Sequence, residues 1–147
     1  MANQQATTPE TELASRLRLA VMRIARRLRQ QTQDPITPSQ ISALATIEHH
    51  GSITLGELAS RERVQPPTMT RIVAALEEES LVVRTVDASD RRIARMSVSP
   101  EGARLLDRSR RRKNVYLANR LRGFTAEEVA ILDKAAGLLE RMVGEER

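Results

Sequence analysis

Two adjacent prolines, Pro66 and Pro67, constrain this chain more than any other feature. Proline has a fixed φ and no amide hydrogen, so it breaks a helix interior but is well suited to a helix's first positions. The residues that follow, Met69, Ile72, Val73 and Leu76, recur at helical spacing. A helix is therefore expected from the prolines to about Glu79. Upstream, Thr54-Leu55-Gly56-Glu57 has the form of a capping box and opens a short helix that buries Leu55, Leu58 and Ala59. Arg61 to Val64 leave room only for a tight connection. Two short helices joined in this way form a helix-turn-helix.

The flanking segments follow the same grammar. Leu13, Leu17, Val21, Ile24 and Leu28 form one apolar stripe of a helix whose remaining surface is arginine-rich. Asp34-Pro35 ends it. Thr37-Pro38-Ser39-Gln40 then caps a helix carrying Ile41, Leu44, Ala45 and Ile47, which stops at Gly51. After the helix-turn-helix the period changes. Leu81 to Val86 and the run holding Ile93, Met96 and Val98 are β-rich, and Asp87-Ala88-Ser89-Asp90 between them is turn chemistry. Ser99-Pro100 opens a helix with Leu105, Leu106, Val115, Leu117 and Leu121 as its apolar positions. Thr125-Ala126-Glu127-Glu128 caps a last one, with Leu132, Ala135, Leu139 and Met142 expected to face inward. The order α-α-α-α-β-β-α-α describes a mainly α protein with a small β-hairpin. The expected organisation is a disordered tail over 1–11 and one domain over 12–147.

Charge does not by itself locate a functional surface. The chain has 24 basic and 19 acidic side chains, and 22 of the basic ones are arginine. Residues 51–100 nevertheless hold seven of each sign, so the positive excess lies in the flanking helices. With no cysteine, disulfides and thiolate metal sites are excluded. No apolar run approaches membrane-spanning length, and the polar start lacks the pattern of a secretory signal, so a cytoplasmic protein is expected.

Position within each element is more informative. A helix after a tight turn can enter the major groove of duplex DNA and offer its first turns to base edges. The residues so placed are Pro67, Thr68, Thr70 and Arg71. Free amides and the dipole at that helix start would also favour phosphate. At the hairpin tip, Asp90-Arg91-Arg92 offers cations to the narrow minor groove, with Asp90 able to hold one arginine by a charge-assisted bond.

Here the chain resembles a known family. Residues 64–76, Val-Gln-Pro-Pro-Thr-Met-Thr-Arg-Ile-Val-Ala-Ala-Leu, are similar to the recognition helix of the MarR (multiple antibiotic resistance regulator) family. Leu81-Val82-Val83-Arg84, Asp90-Arg91-Arg92 and Val98-Ser99-Pro100-Glu101-Gly102 continue the likeness. The resemblance implies a winged helix-turn-helix over 37–98, with dimerisation helices over 12–34 and 99–147. It further implies a bacterial homodimer astride a pseudo-palindromic site on double-stranded DNA, with Arg92 as the wing arginine and Asp90 as its orienting partner. Two departures are Gln65, a poorer N-cap than serine, and Ser80 where a glycine is usual before Leu81.

Other features weigh less. Arg16, Arg23, Arg27 and Arg110 are candidates to line a pocket for a small, anionic effector, an expectation that comes from the resemblance alone. The basic run from Arg108 to Lys113 reads first as a solvated face or as intersubunit ion pairs, and second as a phosphate contact. His49 and His50 point different ways on a helix, so neither a metal nor any other cofactor is expected. No catalytic triad, phosphate loop or dinucleotide fingerprint is present, so an enzyme is not expected. The resulting expectation is a ligand-responsive repressor, nucleoid-associated when bound to DNA. The competing expectation is a winged-helix protein-interaction module or a non-specific DNA-binding protein.

Overall fold

A computed structural model describes residues 8–144. Six helices and three short strands run in the order α1 (Pro9–Gln30), α2 (Pro38–His50), β1 (Ile53–Thr54), α3 (Leu55–Glu62), α4 (Pro66–Glu78), β2 (Val82–Val86), β3 (Ala94–Val98), α5 (Pro100–Leu121) and α6 (Ala126–Gly144). The start of α1 differs from expectation. Thr8 is its N-cap, accepting the Thr11 amide at 3.3 Å, so residues 9–11 are helical; the rest of the expected tail, 1–7, lies outside the described residues. Its end also comes earlier than Asp34. Gln31 and Thr32 side chains donate to the carbonyls of Arg27 and Arg29, satisfying the helix terminus before the proline is reached.

The capping boxes form as their sequences require. Thr37 accepts the Gln40 amide while the Gln40 side chain accepts the Thr37 amide, and Thr54 and Glu57 do the same for α3. Helices α2, α3 and α4 surround one core. Leu44, Ile47, Leu58, Met69, Val73 and Leu76 are fully buried there, closed over by Met96 of β3 and Leu106 of α5. Burying side chains of this size contributes about 1.5–3 kcal/mol each before entropy is subtracted. The core is thus centred on the helix-turn-helix, and α5 is the one long helix that enters it.

The sheet has three strands in the order β1-β3-β2, all antiparallel. The hairpin pairs Val82 with Val98 and Val86 with Ala94. Strand β1 was not expected from the sequence. Ile53 lies opposite Met96 and Thr54 opposite Arg95, so one residue both ends a strand and caps a helix. This ties the middle of the hairpin to the start of α3.

Where α4 turns into β2, Ser80 adopts φ 57°, the left-handed conformation glycine usually supplies. Ser80 N donates to Glu77 O and Leu81 N to Leu76 O, a Schellman-type ending made without glycine. The corner is held from outside as well. Buried Ser99 donates its hydroxyl to Ser80 O at 2.6 Å and accepts the Gly102 amide at 3.0 Å, capping α5.

The outer helices depart from the expected pattern of burial. In α5 only the first half is buried, through Leu105 and Leu106, while Val115 and Leu121 are exposed. No residue of α1 or α6 is buried. Leu17 and Leu28 on α1 and Ala135 and Leu139 on α6 are half-covered, whereas Leu13, Val21, Ile24, Leu132 and Met142 are exposed. The sequence stripes are real, but one chain provides no surface to cover them.

Candidate nucleic-acid interface

The turn between α3 and α4 is made by Arg63, in the left-handed region at φ 53°, with the Val64 amide returning to Ala59 O at 3.0 Å. Glu62 fixes this turn to α2, accepting the Ser42 hydroxyl at 2.7 Å and the Thr46 hydroxyl at 2.5 Å. On α4, Pro67, Thr70 and Arg71 are exposed and Thr68 is half-buried, opposite the buried face of Met69, Val73 and Leu76. Among the described residues Arg71 has no ion-pair partner. Thr70 donates its hydroxyl to Pro66 O at 3.0 Å, so its oxygen remains an acceptor and its methyl a contact surface.

The α4 start is poorer in donors than the sequence suggested. Gln65 makes no side-chain cap. The prolines have no amide hydrogen, and Thr68 N is already bonded to Gln65 O at 3.0 Å. An anion there would meet the helix dipole but no free amide from residues 66–68. Phosphate binding at this terminus through such amides is therefore corrected.

The hairpin tip is more organised than a turn with charged residues requires. Asp90 receives Arg92 as a fork: Arg92 Nε donates to Oδ1 at 3.1 Å and Nη2 to Oδ2 at 3.0 Å, with the Arg92 amide also on Oδ1 at 3.0 Å. The Arg92 side chain is nevertheless 90% exposed, so the fork aims the cation outward without covering it. The Asp90 carboxyl lies below its ordinary range, through the Arg92 side chain first and the Arg92 amide second. Arg91 is exposed beside it. Behind the tip, Asp87 accepts Arg95 Nε at 2.5 Å and is held well below the usual carboxylate range by Ser89 first and Arg95 next. Arg95 has no sequence signal beyond its place on β3, opposite Thr85 and two residues in from the turn.

The expected effector residues occupy different settings. Arg16, Arg23 and Arg27 are exposed on α1, and Arg110 forms ion pairs with Glu48 of α2 and with Asp107. None of the four lines the cleft of about 300 Å³ between the end of α1, the start of α2 and α5. Its cations are Arg29 and Lys113, and Asp34 beside them has a buried Oδ2 with no hydrogen-bond partner. In the basic run, Arg108 approaches Glu101 at 3.8 Å. His49 and His50 meet edge to face at 5.0 Å, and no cluster of three metal-ligating side chains occurs among the described residues. No helix among them is long and apolar enough to cross a membrane.

A helix-turn-helix whose exposed second helix lies beside an arginine-tipped hairpin defines a winged helix-turn-helix DNA-binding regulator. Comparison with known proteins narrows the class. The family model described as MarR family matches residues 36–94. An HTH-type transcriptional regulator of Mycobacterium tuberculosis is 43% identical over 137 residues, 92% of this chain and 96% of that protein. The HTH-type transcriptional repressor MdtR of Bacillus subtilis is 32% identical over 94 residues, 64% of this chain and 61% of its own length. The structure of a MarR family protein from Bacillus stearothermophilus superposes with a TM-score of 0.81 at 27% identity, covering 99% of this chain and 100% of that one. The chain belongs to the MarR family of transcription regulators.

Proposed function

We propose that this regulator binds a pseudo-palindromic promoter site as a homodimer and acts as a repressor. The observation that carries the DNA-reading part is the Asp90–Arg92 fork, which presents an exposed guanidinium at the wing tip. Arg92, with Arg91 beside it, enters the minor groove, where a narrow width strengthens the negative potential. Pro67, Thr68, Thr70 and Arg71 face the major groove, Arg71 forking onto a guanine and the threonines contacting bases or thymine methyls. Phosphate contacts supply most of the affinity and the base contacts the preference.

The dimer is supported by apolar surface that one chain leaves uncovered. Ile131, Leu138 and Met142 fall on one line of α6 and are 65%, 53% and 73% exposed, and α1 contributes Leu13, Val21 and Ile24. Patches of this kind mark protein interfaces. A symmetric pair would set two α4 helices roughly 34 Å apart, one turn of B-DNA. Repression is supported by the name of the B. subtilis relative. Release by a small anionic effector extends the reading, with Arg16, Arg23, Arg27 and Arg110 as one set of cations for it and the cleft of Arg29 and Lys113 as a second location. A soluble protein of the bacterial cytoplasm, gathered on the nucleoid when bound, completes it.

Selection of genomic fragments by the purified protein tests this function. Enrichment of a palindrome within promoter regions is expected. Weak, salt-sensitive retention of all fragments alike would contradict it.

A further inference from the structure

Asp87 is the most heavily bonded side chain of the wing, yet it makes no contact with Arg92. Its side chain is 10% exposed. Its two oxygens have separate tasks. Oδ1 accepts the Ser89 amide at 2.8 Å, the Ser89 hydroxyl at 2.5 Å and the Asp90 amide at 3.2 Å. Among the described residues Oδ2 accepts only Arg95 Nε, at 2.5 Å. Asp90 in turn uses its own carboxylate to hold the amide and guanidinium of Arg92. The contacts therefore form a sequence: Asp87 Oδ1 fixes the backbone at Asp90, and Asp90 fixes Arg92.

We propose that Asp87 is a positioning residue for DNA binding, holding through Oδ1 the loop from which Asp90 aims Arg92. This rests on the reading that Arg92 contacts DNA. Charge and position predict opposite signs for its removal. As a negative group beside a polyanion, Asp87 opposes binding, so its loss on charge grounds alone strengthens the complex. As the anchor of the tip, its loss frees the loop that carries the Asp90–Arg92 fork and weakens the complex.

The two substitutions Asp87→Ala and Asp87→Asn separate these effects, because both remove the charge and only asparagine keeps an acceptor suited to this turn. Affinity is measured by fluorescence anisotropy on the duplex that the parent protein binds most tightly from a random library. Asp87→Ala is expected to weaken binding by about five-fold or more, the size of one lost hydrogen bond. Asp87→Asn is expected within about two-fold of the parent, as for a tolerated surface change. In an Arg92→Ala background, Asp87→Ala should add no further loss, since the two act in one sequence of contacts. Should Asp87→Ala lower the melting temperature of the whole domain, Asp87→Ser replaces it; its hydroxyl can accept one loop amide, so an intermediate loss is expected.

Equal shifts for alanine and asparagine, tighter binding by Asp87→Ala, or an undiminished effect in the Arg92→Ala background would each overturn the proposal. If Arg92→Ala itself binds like the parent, the wing reading fails and the proposal fails with it. If Arg92→Ala weakens binding and Asp87→Ala does not, only the positioning role is lost.

Discussion

Asp90 engages Arg92 with both carboxylate oxygens, at 3.1 Å to Nε and 3.0 Å to Nη2, while the arginine stays open to solvent. A bidentate fork fixes the plane of the guanidinium as well as its location. Because Arg92 lowers the Asp90 pKa below its ordinary 3.8, the pair is fully formed above that value and is lost only as pH falls through the still lower folded value. The ratio of parent to Arg92→Ala affinity should therefore be constant between about pH 5.5 and 8.5. A ratio that declines across this window, read from binding curves at several pH values, would mean that another titrating group controls the wing.

Arg71 is the cation on α4 best placed for a base contact, exposed and without an ion-pair partner among the described residues. Arg71→Ala should cost about 1–3 kcal/mol of binding and relax the preference at one position of each half-site. A loss of the same size on every sequence would reassign it to phosphate. The check is a selection repeated with the variant, compared base by base with the parent.

Gly102, in the first turn of α5, leaves no room for a side chain. A Cβ there would lie 2.2 Å from Leu81 O and 2.9 Å from Val98 Cγ1. Gly102→Ala should therefore destabilise the fold by about 1–3 kcal/mol, the usual cost of overpacking, although alanine favours helix. Chemical denaturation measures it directly. Unchanged stability would show that the contact between α5 and the hairpin root yields easily.

The uncovered line Ile131, Leu138 and Met142 predicts what a pair of charges does on α6. Ile131→Glu with Leu138→Glu should convert a dimer to a monomer in sedimentation equilibrium while leaving helix content intact. It should also weaken operator binding by about 100-fold or more, because the second half-site is then no longer held at high effective concentration.

Much of the helix-turn-helix was legible because its signals are local. Proline at a helix start and Thr-x-x-Glu caps act within one turn, so Thr37, Thr54 and Pro66 mark their helices unaided. That Asp90 holds an arginine of the tip was legible for the same reason, and the family resemblance pointed to Arg92 as the one it holds. What the sequence hid depends on partners distant in the chain. Strand β1 is two residues long and exists only because β3 lies beside it. Arg95 reaches Asp87 across the hairpin, and Glu62 reaches back 16 and 20 residues to Thr46 and Ser42. The apolar stripe of α6 had the opposite fault: its period was clear, but an inward direction assumed a surface that one chain lacks.

Arg92→Ala, titrated against the duplex selected by the parent protein, tests the central claim most directly. A wing that inserts its arginine into the minor groove predicts a loss of roughly ten-fold or more at constant salt, with the melting temperature and dimer unchanged. A variant that binds that duplex as tightly as the parent would contradict the wing's role in DNA recognition.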